Sequence, residues 1–127
     1  MRILGFSRKW DKLEDTEFTT FRFPRRDRDW QVGEDVQIVY KPRSNNRDIL
    51  GQAEIIAKEP RAMARHGSLI KGITIVTNAE AERDGFCSIA GRQAYFIMWE
   101  FLFDYYGGEK LLNEPMNKLT LRWLSKE

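Results

Sequence analysis

Hydroxyl and guanidinium side chains alternate with aromatic rings in one short segment of the chain. Residues 17–26 read Glu-Phe-Thr-Thr-Phe-Arg-Phe-Pro-Arg-Arg, which brings Thr20, Arg22, Arg25 and Arg26 close together. Guanidinium groups suit phosphate because their planar donors bind two oxygens at once. Strand periodicity puts Thr20 and Arg22 on one face and Thr19 on the other, so one of the two hydroxyls should face a cleft. The segment predicts an anion-binding edge.

Acidic residues leave a second interpretation of this segment open. Asp27 and Asp29 alternate with the arginines, and Glu34 and Asp35 follow them. Local ion pairs on a solvated loop would explain the same pattern without any ligand. The two interpretations differ in whether the guanidinium groups are free to meet a phosphate.

Two further basic segments follow. The first is a polar turn, where flexible cationic side chains can touch a nucleic-acid backbone, and the second is a connection between residues 60 and 72. If these segments converge with the first one, they form a meaningful basic patch. The turn carries Lys41, Arg43 and Arg47, and the connection carries Arg61, Arg65, His66 and Lys71.

Composition and charge describe a folded domain with a local basic surface. The 127 residues fit one domain over 1–127, and sixteen aromatic residues argue against a disordered chain. A net charge of only +2 argues against the broad cationic surface of a chromatin or ribosomal protein. Residues 1–72 hold fifteen Lys/Arg against eleven Asp/Glu, and residues 73–127 hold six against eight. Any nucleic-acid site is therefore expected in the first part.

Cysteine and histidine are too few for a metal site or a disulfide framework. Cys87 and His66 are the single residues of their types, so we expect no structural metal and no cofactor. The apolar run at the N-terminus is too short for a signal sequence, and no run of about 18 apolar residues occurs. We expect a cytoplasmic protein.

The elements that must position these residues are short strands and a few helices. Alternation predicts strands, Thr77 or Asn78 can cap a short helix, and Gly85 and Gly107 are helix stops. The last strand is expected to close the sheet. The predicted fold is α+β and mainly β, a small mixed β pseudo-barrel of five or six strands with two or three helices. The strands are predicted at Arg2–Ser7, Phe18–Phe23, Asp35–Tyr40, Ile49–Ile56, Ile73–Val76 and Lys118–Leu124, a short helix or turn at Arg8–Leu13, and helices from Thr77 or Asn78 to Arg83 and over Gln93–Tyr106.

The order of several short motifs resembles the ASCH family of compact domains with the PUA-like fold. These motifs span most of the chain, although none is specific alone. The resemblance implies a pseudo-barrel with a cleft and a role linked to RNA. In chain order they are Phe6-Ser7, Trp10 to Leu13, Thr20-Phe21-Arg22, Val32-Gly33-Glu34-Asp35-Val36, Leu50-Gly51-Gln52-Ala53-Glu54-Ile55, Asp84-Gly85-Phe86, and Trp99 with Tyr105-Tyr106-Gly107.

One branch of that family is similar to amidohydrolases that deacylate N4-acetylated cytidine with a Lys, a Thr and a Glu. Its Lys-Thr-x-Thr-x-Arg pattern matches this chain at Thr20 and Arg22, while Glu17 stands at the lysine position. The acidic position most nearly matches Asp84, which we expect to pair with Arg22 across the cleft. Because the lysine is missing, such catalysis would need Lys9 or Lys12 to reach the cleft from elsewhere.

Three functions follow from these observations. The first is a non-catalytic module that binds RNA or a nucleotide-like ligand. The second is an amidohydrolase for an acylated nucleoside, with Thr20 and Asp84 as the reactive pair. The third is a protein-interaction domain, which an exposed apolar patch would indicate. The expected ligand-binding residues are Thr20, Arg22, Arg25, Arg26, Lys41, Arg43 and Asp84, and the expected stacking aromatics are Phe23, Trp30 and Phe86.

Overall fold

A five-stranded sheet curls into a half-barrel and carries the helices. The computed structural model describes residues 1–63, 72–86 and 91–127. With 39% of the described residues in strands and 25% in helices, the predicted α+β, mainly β class is confirmed. The strands are β1 Arg2–Phe6, β2 Glu17–Arg22, β3 Asp35–Tyr40, β4 Asp48–Arg61 and β5 Met116–Lys126; the helices are α1 Asn78–Arg83, α2 Ala94–Tyr106 and α3 Gly108–Asn113, with a 3₁₀ turn at Asp11–Glu14.

The strand order leaves the sheet open between its two edges. The order is β1-β3-β4-β5-β2, with β1 parallel to β3 and every other neighbouring pair antiparallel. The last strand, β5, lies between β4 and β2, so the expectation that it closes the sheet is wrong. The edges are β1 and β2, and we call the gap between them the seam.

Alternation along β2 divides the core in two. Phe18 packs with Leu4 and Phe6 in a strand core, whereas Phe21 packs with Met98 and Leu102 in a helix core beneath α1 and α2. Trp10, on the connection from β1 to β2, packs against both cores. The two cores therefore meet beside the seam.

The largest departures from the predicted elements occur at β4, at residues 73–76 and after α2. β4 continues beyond Ile56 to Arg61, because β5 gives partners to its weak strand formers, with Pro60 opposite Asn117. Ile73–Val76 is not a strand: only Ile75 forms a bridge, to Ala62. Beyond Gly107, whose φ of 92° ends α2, the short helix α3 was not expected. Arg65, His66, Lys71 and Cys87 lie outside the described residues.

Arg2 ties β1 to the loop that carries Arg25. Its guanidinium donates to both carboxylate oxygens of Glu34 at 2.6 Å and to the carbonyl of Asp29 at 3.1 Å. The same group lies 4.4 Å from the centre of the Trp30 ring. The hydrogen bonds from Arg2 hold the pKa of Glu34 below its ordinary value of 4.5.

Because of the ion pair between Arg2 and Glu34, we expect the protein to lose stability in acid. The pKa of Glu34 is lower in the folded than in the unfolded protein, so its contribution is complete above pH 4.5 and is lost as pH falls through the folded pKa. Glu34→Gln should lower the free energy of unfolding by about 1–2 kcal/mol at pH 7 and by progressively less below pH 4.5. Urea denaturation across pH measures the difference, and a difference that stays constant would contradict the assignment.

Candidate functional site: a pocket and a basic groove at the seam

A pocket lies at the seam where the two cores meet. Its cavity volume is about 80 Å³, about half of the roughly 150 Å³ of an apolar cavity that holds a benzene ring, so it can take only part of one planar ring. β1 and β2 form one side of it, and α2 with the end of α1 forms the other. Its polar side chains are Ser7, Lys12, Thr20, Arg22 and Asp84, with Tyr105 and Tyr106, and its apolar lining includes Phe6, Trp10, Phe21, Phe86, Phe101 and Leu102.

A buried ion pair forms the polar end of the pocket. Lys12 Nζ donates to Asp84 Oδ1 at 2.8 Å, and the two side chains are only 5% and 10% exposed. Burial lowers the pKa of Lys12 and raises the pKa of Asp84, and in each case the partner's charge opposes the shift. The predicted pairing of Asp84 with Arg22 is therefore corrected: the partner is Lys12, which the 3₁₀ turn directs inward.

Local structure explains how Asp84 reaches this position. Thr77 and Glu80 form a capping box that starts α1, and Asp84 is its C-cap residue. Gly85 follows with a φ of +117°, and a Cβ there would lie 2.8 Å from the Trp10 ring. A side chain at 85 would thus push away the ring that covers the ion pair.

Arg22 bridges the seam without a carboxylate partner. Its Nε donates to Thr20 Oγ1 at 3.1 Å, and its Nη2 donates to the Gly5 carbonyl of β1 at 2.7 Å. Its guanidinium also lies 4.8 Å from the centre of the Phe6 ring. Among the described residues no salt bridge joins Arg22 to an acid. Within the described lining of the pocket, Lys12 and Asp84 balance each other, which leaves Arg22 as one positive charge without a carboxylate partner.

Three aromatic rings form the apolar wall. Trp10, Phe86 and Phe101 contact one another with ring centres 5.1, 5.5 and 5.8 Å apart. The Arg8 guanidinium covers Trp10 and Phe101 from outside, 4.7 and 4.8 Å from their ring centres. Such rings offer faces on which a planar ligand can stack.

A larger groove continues from the pocket along β1. It offers about 700 Å³ to water-molecule centres and shares part of its lining with the pocket, including Gly5, Arg22 and Tyr105. None of the described residues that line it is acidic. Its cationic side chains are Arg22, Arg25, Lys41 and Arg43, together with the ring of Trp30 and the hydroxyl of Ser44.

The groove cations are mostly free of acidic partners. Lys41 and Arg43 are exposed, and neither forms an ion pair within the described part of the chain. Arg25 has one exposed contact with Asp27 at 3.5 Å, which is weak in water. Arg28, whose side chain is 66% exposed, has a similar contact of 3.6 Å from its Nη2 to Glu34 Oε2. Acidic residues thus lie beside both arginines, but neither contact is strong enough to prevent an arginine from meeting a phosphate.

The structure brings most predicted site residues together. The pocket is lined by Thr20, Arg22 and Asp84, and also by the predicted stacking residue Phe86. The groove is lined by Arg25, Lys41 and Arg43, and also by the predicted stacking residue Trp30. Arg26 is exposed and lines neither. Phe23 packs against Tyr106 in the helix core instead of facing the cleft.

Sequence reasoning missed Tyr105 and the role of Lys12. Of the two candidate lysines, Lys9 pairs with Asp48 on the surface and Lys12 is buried in the pocket. No local pattern marks Lys12, because its partner lies 72 residues away. One sequence signal could have pointed to Tyr105 as a site residue: it is an aromatic residue two positions before Gly107, the predicted helix stop.

Comparisons with known proteins give no match. No family model matches the chain, and neither curated proteins nor solved structures show significant similarity to it. The ASCH resemblance thus stays a prediction from the motifs quoted above. No group of three metal-ligating side chains occurs among the described residues, nor does a helix long and apolar enough to cross a membrane.

The buried pair predicts a strongly non-additive double-mutant cycle. Lys12→Met or Asp84→Asn each leaves one buried charge without its partner, so each should lower the free energy of unfolding by about 3 kcal/mol. The double variant removes both charges and should recover at least half of that loss. Urea denaturation measures all four proteins.

The exposed Lys9–Asp48 pair is the matched control. Its side chains are 56% and 52% exposed, so Lys9→Met should change stability by less than about 0.5 kcal/mol. Additive losses at Lys12 and Asp84 would show that the two side chains do not form a buried pair.

Proposed function

We propose that this protein is an ASCH-like domain that acts in the cytoplasm as a binding module for single-stranded RNA or a nucleotide-like ligand. The observation that carries the proposal is the continuity of a small aromatic pocket with a groove whose described charged side chains are all cationic. Four cationic side chains line the groove without an acidic neighbour in its described lining. A phosphate-bearing ligand that inserts the edge of one planar ring into the pocket would use both parts.

The groove supplies the electrostatic component of binding. Arg25, Lys41 and Arg43 are exposed and largely unpaired, so they lose little on meeting a phosphate. The same site could not hold an anionic ligand if carboxylates alternated around its rim. This component gives affinity and no base preference.

The pocket supplies the recognition of one base. Trp10, Phe86 and Phe101 offer ring faces, while Lys12 and Arg22 donate hydrogen bonds and Asp84 accepts them. Arg22 Nη1 forms no hydrogen bond to the described residues, which leaves it available for an acceptor on the ligand. Unpaired bases are recognised by this combination of stacking and edge contacts.

Salt dependence and matched arginines test the binding function. Binding of a labelled single-stranded RNA should weaken with salt, with a slope of about −2 in log K against log salt if three phosphates are neutralised. Arg25→Ala and Arg43→Ala should each reduce the steepness of the slope by about 0.7. Fluorescence anisotropy at several salt concentrations gives these values.

Neighbouring arginines outside the groove serve as controls. Arg26→Ala and Arg47→Ala remove the same charge from residues that are exposed and line neither the pocket nor the groove. RNA binding by both variants should show the same slope of log K against log salt as binding by the parent. Equal effects of Arg25→Ala and Arg26→Ala, or salt-independent binding, would contradict the proposal.

A second candidate function is favoured by the position of Lys12. Lys12 donates to Asp84 and lines the pocket together with Thr20, although Glu17 occupies the family position and is exposed. We propose as the alternative a hydrolase for an N4-acylated cytidine. With its own proton passed to Asp84, the neutral amine of Lys12 would accept a proton from water as the water oxygen adds to the acyl carbon, and the hydroxyl of Thr20 would donate a hydrogen bond to the acyl oxygen. The carbon–nitrogen bond would then break as the proton on Lys12 passes to the leaving amine.

Two adjacent threonines provide the test of this alternative. The parent should release cytidine and acetate from N4-acetylcytidine, and Lys12→Met or Thr20→Val should slow release at least about 100-fold. Thr19→Val is the control, because Thr19 Oγ1 is buried and has no hydrogen-bond partner among the described residues. Chromatography of the products measures turnover. Equal rates in the Thr19 and Thr20 variants would exclude this reaction.

A further inference from the structure

Tyr105 is an exposed aromatic residue at the junction of the pocket and the groove. It is 67% exposed, the largest fraction among the exposed large hydrophobic residues after Met1. It lines both the pocket and the groove. Together with Gly5, Phe6, Ser7 and Arg22 it marks where the two cavities meet, so its ring is within reach of a ligand that extends from one to the other.

Neighbouring residues hold the Tyr105 ring while leaving it open to solvent. Tyr105 lies in the last turn of α2, which ends where Gly107 N donates to the Phe103 carbonyl at 2.9 Å. Its ring meets that of Tyr106 at 4.7 Å between centres and an angle of 71°. Tyr106 in turn packs against Phe23 at 4.8 Å. A T-shaped contact to an anchored neighbour orients the ring and leaves ring surface free.

The size of the pocket limits how much ligand it can hold. A cavity of about 80 Å³ takes part of one base and has no room for a second one. The groove beyond Tyr105 is several times larger and carries Arg25 and Lys41. The next phosphate and the next base of a chain would therefore lie outside the pocket, beside Tyr105.

We infer that the site takes at least two consecutive units of single-stranded RNA, with one base in the pocket and its neighbour stacked on Tyr105. The phosphate between them lies at the side of the groove formed by Arg22 and Arg25. The inference rests on the proposed RNA-binding function and makes Tyr105 a residue that selects a chain over a free nucleotide. Stacking on an exposed ring tolerates every base, because each base has a π face.

Dinucleotides with and without a second base test this inference. The probes are the four nucleoside 5′-monophosphates, the matching 5′-phosphorylated dinucleotides, and the same dinucleotides with either unit abasic, which keeps the phosphates equal. In competition with labelled RNA, the intact dinucleotide should bind about tenfold more tightly than either abasic form. With Tyr105→Ala, one of the two abasic forms should bind as tightly as the intact dinucleotide. With Tyr105→Phe, both abasic forms should still bind more weakly than the intact dinucleotide.

Phe103→Ala is the matched control, since Phe103 is an exposed aromatic on the same helix, 42% exposed, and lines neither the pocket nor the groove. It should bind as the parent does. If mononucleotides bind as tightly as dinucleotides while Arg25→Ala still weakens binding, this inference is wrong and the proposed function stands. If no RNA probe binds at any salt concentration, both are wrong.

Discussion

The open seam between β1 and β2 is the constraint on which the site depends. Sheet edges expose unpaired amide and carbonyl groups, and proteins must cover or occupy them. Here side chains occupy the gap: Arg22 donates to the Gly5 carbonyl, and the connection between the two strands turns Lys12 inward. Had β1 and β2 paired directly, the sheet would close and neither the pocket nor its polar end would exist.

The buried pair of Lys12 and Asp84 makes the seam chemically distinct. Removing two charges from water is costly, and apolar residues of similar volume often stabilise a protein more. Asp84 also lies at the C-terminal end of α1, where the helix dipole disfavours a carboxylate. Stability alone does not explain such a pair. Together with the uncompensated charge of Arg22, it gives the pocket donors and an acceptor that a ligand can use.

Apart from Ile73–Val76, local patterns predicted the strands and the placement of Thr20 and Arg22, because alternation within one strand fixes which side chains share a face. The same reasoning failed for contacts between distant segments. Asp84 was expected to pair with Arg22, yet it pairs with Lys12. Lys12 lies in a short turn, and the spacing of residues in the sequence does not show which way such a turn points. β4 extends through Pro60 since β5 supplies its partners, which depends on pairing and not on propensity. Tyr105 could be read as a helix residue, whereas its exposure depends on where α2 ends against the sheet.

The most direct test of the account is to map where a short single-stranded RNA binds on the isotopically labelled protein by NMR. We predict that the largest shift changes fall on the backbone amides of Gly5, Ser7, Lys41 and Tyr105 and on the side-chain Nε of Arg22, which surround the junction of the pocket and the groove. Changes confined to the exposed face of α2 around Phe96 and Glu100, which lie outside both, would contradict the account.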